Sequence, residues 1–358
     1  MNTNTLISVI VPVYNAVDRF PECMEALTAQ TVFDRMEILL INDGSSDGSE
    51  TLCDGFAARH PNITVVHQAN AGVSAARNTG LLAAVGTYIG FVDADDTMEA
   101  TLFETLVERM ETTGADLCFC GFIEELPAGE NSVLYPFLSD CVLNNEEIYA
   151  AVIPFMLEFD SFNTCCTKLF RRELIEHHHL RFEPKLRLGE DRLFVGRYLL
   201  VCETAAYCPV QLYRYRYSPT GAVRRVRTTY ADEATVQYRR DFELFANGDI
   251  PETVIRDKAG RRLLRHAVGD FWTANECLRG KARAGALRRF VNNEDIRQQA
   301  NNQSKDAKDA FSRYERVMLR LLLMKSVTGM RAIIGVVRIK TRLRARTVRF
   351  FCKSKENA

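Results

Sequence analysis

The sequence has no stretch of about twenty consecutive apolar residues, the length that a membrane-spanning helix requires. No basic segment precedes the first apolar run, ISVIV at residues 7–11, so we interpret that run as a strand and expect a cytoplasmic protein. The eleven cysteines lack zinc-ribbon spacing, which favours reduced thiols. The first strand also lacks the glycine-rich turn of dinucleotide-dependent oxidoreductases, which disfavours that class.

The formal net charge of zero conceals an uneven distribution, because residues 316–355 hold twelve Lys or Arg and no Asp or Glu. In this basic tail, aliphatic and aromatic residues alternate with the charges, which predicts an amphipathic helix on an anionic membrane surface, at the inner face of the cell membrane. Two alternatives stay open: the tail packs on the body through its apolar face, or it forms a homo-oligomer contact. No nucleic-acid-binding module accompanies the basic residues, so we expect no nucleic acid partner.

Short β-rich runs alternate with helical patterns in the first half of the chain, which is typical of an α/β fold with a doubly wound, mainly parallel sheet. Strands are predicted at residues 7–11, 37–41, 63–67 and 88–92. A helix is predicted from about Val73 to Ala84. Asp47, with Glu50 three residues later, predicts a capping-box start for a helix between the strands at 37–41 and 63–67.

The second half of the chain has a different pattern, because it is helical almost throughout from Tyr230 onward. We therefore predict a boundary near residue 225. It separates an α/β domain, 1–225, from a helical C-terminal region, 226–358, that includes the basic tail.

Unusual polar segments follow all four predicted strands. They are PVYN at 12–15, NDGSSD at 42–47, QANAG at 68–72 and DADD at 93–96. Because ligands of such sheets bind beyond the carboxyl ends of the strands, we expect these four segments to meet at one edge.

The motifs SVIVPVYN, LTAQT, LLINDGSSDGS, NAGVSAARNTGL, GTYIGFVDADD, TKLFRREL and LGEDRLF occur in this order. As a set, over residues 5–220, they resemble the family 2 glycosyltransferases of the GT-A fold, bacterial enzymes that build surface polysaccharides. The resemblance implies a nucleotide-diphospho-sugar transferase fold for residues 1–225 and an inverting transfer of a sugar from a nucleotide-sugar donor.

The resemblance also implies a divalent cation, Mn²⁺ or Mg²⁺, because the leaving diphosphate concentrates negative charge. Asp93-Ala94-Asp95 matches the family's Asp-x-Asp cluster. Asp95 is the predicted metal ligand, and Asp93 is expected to face the ribose or the metal. Asp96 is expected to be a further site residue or to cap the helix that follows.

The family's nucleotide contacts map onto the other strand ends. Asp43 matches the carboxylate that accepts a hydrogen bond from the uracil ring. Arg77 is expected to reach phosphate or base with its forked donors. The remaining predicted nucleotide-sugar contacts are Pro12, Tyr14, Asn15 and Asn70.

An inverting transfer also needs a general base for the acceptor hydroxyl, and Asp191 in Gly189-Glu190-Asp191 matches that position. Glu190 is expected to face elsewhere on the helix and to orient a loop or the acceptor. Lys168 matches a position that supports the site. After LYRYRY the family often has a His or Arg and a Ser that close over the diphosphate. No histidine stands there in this sequence, and Arg224 or Arg225 is the candidate replacement.

These residues predict a metal-dependent glycosyltransferase that takes a hexose from a UDP-linked donor to a cell-surface polysaccharide or a lipid-linked glycan. Two alternatives belong to other classes. The segment DADDT also fits a haloacid-dehalogenase-like phosphatase, in which Asp93 would be the phosphoryl acceptor and Asp95 an acid/base. A non-catalytic module that binds sugar nucleotides or glycans is the other.

Overall fold

Two compact units make up the chain. The computed structural model describes residues 5–126, 129–135, 139–184, 186, 189–217, 230–246 and 250–338. One unit is Met1–Arg224 with Gly248–Ile250, and the other is Arg225–Asn247 with Pro251–Ala358. The predicted boundary at residue 225 lies outside the described residues and stays a prediction.

A ten-stranded sheet forms the core of the first unit. Its strands are β1 Ile7–Val13, β2 Met36–Asp43, β3 Ile63–Gln68, β4 Tyr88–Phe91, β5 Thr97–Met98, β6 Leu117–Leu126, β7 Gly129–Val133, β8 Cys141–Asn144, β9 Lys168–Arg171 and β10 Thr204–Tyr215. The order is β3-β2-β1-β4-β9-β6-β10-β5, with β7 beside β6 and β8 beside β10.

The first four strands are parallel neighbours, as the sequence predicts. β1 pairs in parallel with both β2 and β4, and β2 pairs in parallel with β3. Every residue of β1 except Pro12 is buried, which is the pattern of a parallel strand covered on both faces. The carboxyl ends of β1 to β4 therefore lie at one edge of the sheet, and the predicted α/β, mainly parallel fold is confirmed.

Helices connect these strands. In the first unit they are α1 Phe20–Thr28, α2 Ser49–Arg59, α3 Val73–Ala83, α4 Leu102–Thr113, α5 Asn145–Glu147, α6 Ile153–Glu158, α7 Arg172–His177 and α8 Glu190–Leu199, with a π-helical turn at Ile148–Val152. The predicted capping box is wrong, because α2 begins at Ser49 and Asp47 is therefore not its N-cap residue. The Asp47 carboxylate instead accepts hydrogen bonds from the Ser49 N–H and hydroxyl at 3.0 and 2.6 Å.

Strand β9 interrupts the parallel order. It pairs antiparallel with β4 on one side and with β6 on the other. The short segment KLFR is buried at its first three positions, so it joins two groups of strands into one sheet. Its neighbour along the chain, the loop 162–167, lies beside the candidate site described below.

The second unit is helical in its described part. It contains α9 Tyr230–Phe245, α10 Glu252–Cys277, α11 Gly280–Asn292, α12 Glu294–Asn302, α13 Lys305–Asp309 and α14 Arg313–Leu323, followed by helical residues 327–338. The predicted helical C-terminal region is thus confirmed.

The basic tail is described only as far as residue 338. In this part the apolar side chains of Met318, Leu322, Met330 and Ile334 are buried. Helix α14 contacts α10 and α12 of its own unit. The apolar face of the described tail therefore covers the helical unit, and residues 339–355 lie outside the description. Within the described residues, no helix is both long enough and apolar enough to span a membrane.

Candidate active site

The loop after β1 and the loop after β2 are tied together. The Asn15 side-chain oxygen accepts a hydrogen bond from the Ser46 N–H at 2.9 Å, and the Asn15 N–H donates to the Ser45 hydroxyl at 3.2 Å. Asn15 has φ 48°, a left-handed conformation that asparagine tolerates. Tyr14 beside it is 54% exposed, whereas Pro12 lies inside β1.

Asp43, the last residue of β2, is buried and fully engaged with the loop after β3. Its carboxylate accepts hydrogen bonds from Gln68 Nε2 at 2.7 Å, the Ala71 N–H at 2.9 Å and the Gly72 N–H at 2.8 Å. The next residue, Gly44, has φ +71°, and a Cβ there would lie 2.8 Å from the Asn70 backbone nitrogen. A side chain at residue 44 would therefore push these two strand-end loops apart.

Arg77 on α3 joins three of the predicted site carboxylates. Its Nη2 donates to Asp93 Oδ1 at 2.8 Å, and its Nη1 donates to Asp191 Oδ1 and lies 3.4 Å from Glu190 Oε1. The guanidinium also lies over the Phe182 ring, 5.3 Å from its centroid. The side chain is 3% exposed, so these ion pairs are largely removed from water.

Glu190 and Asp191 thus point to the same guanidinium nitrogen. The expectation that Glu190 faces elsewhere is wrong in this structure, because α8 begins at Glu190 and both side chains lie in its first turn. Burial raises the pKa of Asp191 to about 7, while Arg77 opposes the rise and Glu190 and Asp93 add to it. The Cys165 N–H also donates to Asp191.

Asp95 and Asp96 have different environments. Burial raises the pKa of Asp95, the Asp93 charge raises it further, and Arg19 and Arg216 oppose the rise. Asp96 is 1% exposed and accepts hydrogen bonds from the Tyr213 hydroxyl at 2.7 Å and the Arg216 N–H at 2.8 Å.

The expectation that Asp96 caps the following helix is therefore wrong. Helix α4 begins only at Leu102, with Thr101 at its N-cap. Asp96 instead fixes the end of β10 against the turn that holds the other two aspartates.

Lys168, the first residue of β9, supports the loop next to Asp191. Its Nζ donates to the carbonyl oxygens of Phe162 and Thr164 at 2.9 and 2.7 Å. Burial lowers the pKa of Lys168 to about 8. The loop held in this way contains Cys165, whose N–H reaches Asp191.

The structure brings most of the predicted residues to one edge of the sheet, but their roles stay predictions. Arg224 lies outside the described residues. Sequence reasoning placed Gln68 in the polar segment after β3 without a role, and it missed Thr79 and Tyr213, because a single glutamine, threonine or tyrosine carries no motif. Their only signal is position, since Gln68 ends β3 and Tyr213 lies near the end of β10.

The chemistry of Asp93 and Asp95 fits a hard divalent cation. Burial raises the pKa of Asp95 and the neighbouring Asp93 charge raises it further, and a cation would relieve that repulsion. Among the described residues, no three His, Cys, Asp or Glu side chains are arranged as a metal site. Mg²⁺-type sites need only one or two carboxylates beside phosphate oxygens and water, so the two aspartates are sufficient.

The sheet order and the carboxylates at its edge agree with the GT-A fold that the motifs predict. The family described as "Glycosyl transferase family 2" matches residues 8–178. Glycosyltransferase GlyG of Streptococcus pneumoniae is 30% identical over 250 residues, which are 67% of this chain and 78% of GlyG. The chain belongs to glycosyl transferase family 2, and so to a family of sugar-transferring enzymes.

Other relatives are longer than the matched segment. "Uncharacterized glycosyltransferase EpsJ" of Bacillus subtilis is 37% identical over 214 residues, 60% of this chain and 62% of EpsJ. "Minor teichoic acid biosynthesis protein GgaB" of the same species is 29% identical over 59% of this chain, but only 22% of GgaB is covered. The chain thus spans less than two thirds of the length of these relatives.

Solved structures share the fold at low sequence identity. Staphylococcus aureus TarS 1-349 in complex with UDP-GlcNAc has a TM-score of 0.68 and 16% identity, and covers 94% of this chain and 92% of that one. Mannosyltransferase PcManGT from Pyrobaculum calidifontis, in complex with GDP-Man and Mn²⁺, has a TM-score of 0.53 and 16% identity, with 92% and 87% covered.

Proposed function

We propose that the protein is an inverting, metal-dependent glycosyltransferase that moves a hexose from a UDP-linked donor to a cell-surface polysaccharide or a lipid-linked glycan. The observation that carries the proposal is that Asp93, Glu190 and Asp191 all contact the Arg77 guanidinium. These contacts bring the Asp-x-Asp turn after β4 together with the start of α8, at the edge of the sheet where Asp43 also lies. One edge of the sheet then holds acidic groups suited to a metal, a base and a nucleotide.

Asp191 is the proposed general base. A carboxylate is an effective base when its pKa lies near the working pH, and burial raises the pKa of Asp191 to about 7. Arg77 and the Cys165 N–H hold the carboxylate in one orientation, and its remaining lone pairs are the proposed acceptors for the proton of the acceptor hydroxyl. Attack on the anomeric carbon from the side opposite the diphosphate then inverts the configuration.

Asp95 and Asp93 are the proposed holders of Mn²⁺ or Mg²⁺. When bound, the cation supplies charge neutralisation for the leaving diphosphate. The complex of PcManGT with Mn²⁺ supports this assignment at the level of the shared fold. At the other end of the donor, Asp43 is the proposed nucleobase contact, beside Pro12, Tyr14, Asn15 and Asn70.

The UDP-linked donor is supported by the complex of TarS with UDP-GlcNAc, and the cell-surface acceptor by the name of GgaB. We further propose a cytoplasmic protein that associates peripherally with the inner face of the membrane. The proposed contact is the basic part of the tail beyond residue 338, which holds seven Lys or Arg in residues 339–355.

The test is release of UDP from a panel of UDP-hexoses, with and without Mn²⁺, by the purified full chain. Asp191→Asn and Asp95→Asn are expected to lower turnover by about 10²–10⁴-fold. Asp295→Asn, in the helical unit, is the matched control and should leave turnover unchanged. Wild-type turnover in either site variant would overturn the proposed role of that residue, and phosphate release from phosphosugars would favour the phosphatase alternative.

A further inference from the structure

The outward face of helix α14 carries a row of arginines. Arg313, Arg316 and Arg320 are exposed, and Met324, which directly follows the helix, is 74% exposed. With about 3.6 residues per turn, these four side chains lie within an arc of about 80° and extend along about 16 Å of the helix. We call these four residues the basic stripe.

The opposite face of α14 is already covered by protein. Met318, Leu319 and Leu322 are buried there, and the helix contacts α10 and α12 of its own unit. An amphipathic helix that lies in a bilayer surface buries this kind of apolar face in the lipid. Because that face is occupied within the helical unit, a partner of α14 meets the basic stripe instead.

The segment that contains the stripe has almost no acidic residues. Residues 312–338 hold six Lys or Arg, all of them exposed, and one acid, Glu315. Glu315 is engaged within the unit, because its carboxylate lies 3.6 Å from Arg265 Nε and accepts a hydrogen bond from the Ser312 N–H at 2.7 Å. Within the described part of the chain, the three arginines of the stripe form no ion pair, so they present their positive charges to solvent.

We propose that the basic stripe is a contact surface for an anionic lipid layer. The inference rests on the proposed peripheral association with the membrane, and it adds a surface of the helical unit to residues 339–355. Each arginine near an anionic bilayer contributes attraction, and a guanidinium binds phosphate groups with paired donors. Met324 favours a lipid over a soluble polyanion such as an acidic glycan, because an apolar side chain gains free energy at the acyl boundary and not beside a hydrated polymer.

The test is sedimentation of the purified full chain with vesicles of phosphatidylcholine, either alone or mixed with an equal amount of phosphatidylglycerol. The stripe variant combines Arg313→Gln, Arg316→Gln and Arg320→Gln. We expect wild type to bind the phosphatidylglycerol vesicles and the stripe variant to bind them about 100-fold more weakly, since each charge contributes about fivefold. Binding should weaken as the salt concentration rises, because salt screens exposed charges.

A matched control removes the same charge from another exposed face of the helical unit. Lys281→Gln, Arg288→Gln and Arg289→Gln change three exposed side chains of α11. This control variant should bind the vesicles within about threefold of wild type, because charges beyond a Debye length of the lipid are screened. Met324→Gln should weaken binding about threefold without changing its dependence on salt.

The melting temperature of both triple variants should remain near that of wild type, because all six residues are exposed, and this separates binding from folding. Equal losses of binding in the two variants would show an effect of net charge alone and overturn the basic stripe. Wild-type binding by the stripe variant would also overturn it and leave the membrane contact to residues 339–355. Wild-type binding by Met324→Gln would overturn the choice of lipid over a soluble polyanion.

The proposed sugar transfer is measured separately, as release of UDP in the absence of vesicles, and should be the same in wild type and in all of these variants. A wild type that does not bind phosphatidylglycerol vesicles would overturn both the stripe and the proposed membrane association, while leaving the sugar transfer intact. A wild type that binds these vesicles and releases no UDP from any UDP-hexose would overturn the sugar transfer and support the stripe.

Discussion

Replacing Glu190 by Gln should move the acidic limb of the pH–activity profile to lower pH. The proposed base, Asp191, must be ionised to accept a proton, so kcat/KM should rise with pH up to a plateau, with an apparent pKa near 7. Glu190 raises the pKa of Asp191 because both carboxylates lie against the same nitrogen of Arg77. Removing the Glu190 charge stabilises the ionised form of Asp191.

The size of the shift follows from Coulomb's law. Two carboxylates about 5 Å apart repel by about 3 kcal/mol at an effective dielectric constant of about 20, equivalent to roughly two pKa units. The side chains are 17% and 19% exposed, so solvent screening reduces this. We expect Glu190→Gln to lower the apparent pKa by about one unit.

The assay is kcat/KM for UDP release between pH 5 and pH 9 in a constant-ionic-strength buffer. Glu176→Gln, on α7, is the matched control, because its exposed carboxylate pairs with Arg181 and does not act on Asp191. An acidic limb that stays in place, or moves to higher pH, in Glu190→Gln would refute the assignment of the limb to Asp191.

Protein stability offers an independent check on the same pKa. Because the pKa of Asp191 is raised from 3.8 to about 7 in the folded protein, its contribution to stability is fully present below about pH 4. That contribution is lost as the pH rises through about 7. Relative to Asp191→Asn, the wild type should therefore lose free energy of unfolding across this range, measured by urea denaturation at each pH.

Two further predictions concern folding alone. Arg77→Met should lower the free energy of unfolding by about 3–5 kcal/mol in urea denaturation, since it leaves carboxylates without their buried partner. Arg239→Met, in an exposed ion pair, should have a much smaller effect, and equal losses would contradict the argument. Gly80→Ala should lower the melting temperature, because the new Cβ would lie 2.4 Å from Ile10 Cγ2 and cost about 1–3 kcal/mol. Gly285→Ala, in open space on α11, should leave it equal or higher.

The local sequence pattern was sufficient to predict the parallel half of the sheet. The strands predicted at 7–11, 37–41, 63–67 and 88–92 are observed as β1 to β4, and the polar segments after them share one edge. Periodicity could predict these because each strand is a buried apolar run with turn residues behind it. The strand order β4-β9-β6 could not be predicted, because β9 is four residues long and its antiparallel pairing depends on residues far away in the sequence.

The candidate site likewise contains residues that a motif predicts and contacts that no local pattern predicts. Asp93, Asp95 and Asp191 could be singled out by motif, but the partner of Arg77 could not, since a guanidinium serves a phosphate or a carboxylate equally well. The prediction for Glu190 is wrong because adjacent residues within a helix point in different directions, whereas in this first turn both carboxylates reach one cation. Asp96 was mispredicted because its partners, Tyr213 and Arg216, lie more than a hundred residues later.

The antiparallel strand β9 has a consequence for how the enzyme is made on the ribosome. Strands β1 to β6 lie within residues 5–126, but β4 and β6 have no strand between them until residues 168–171 are synthesised. Asp191, which pairs with Arg77, is synthesised a further twenty residues later. The ion pairs that Arg77 makes with Glu190 and Asp191 span more than a hundred residues, so the buried charge cluster can form only after α8 has been synthesised.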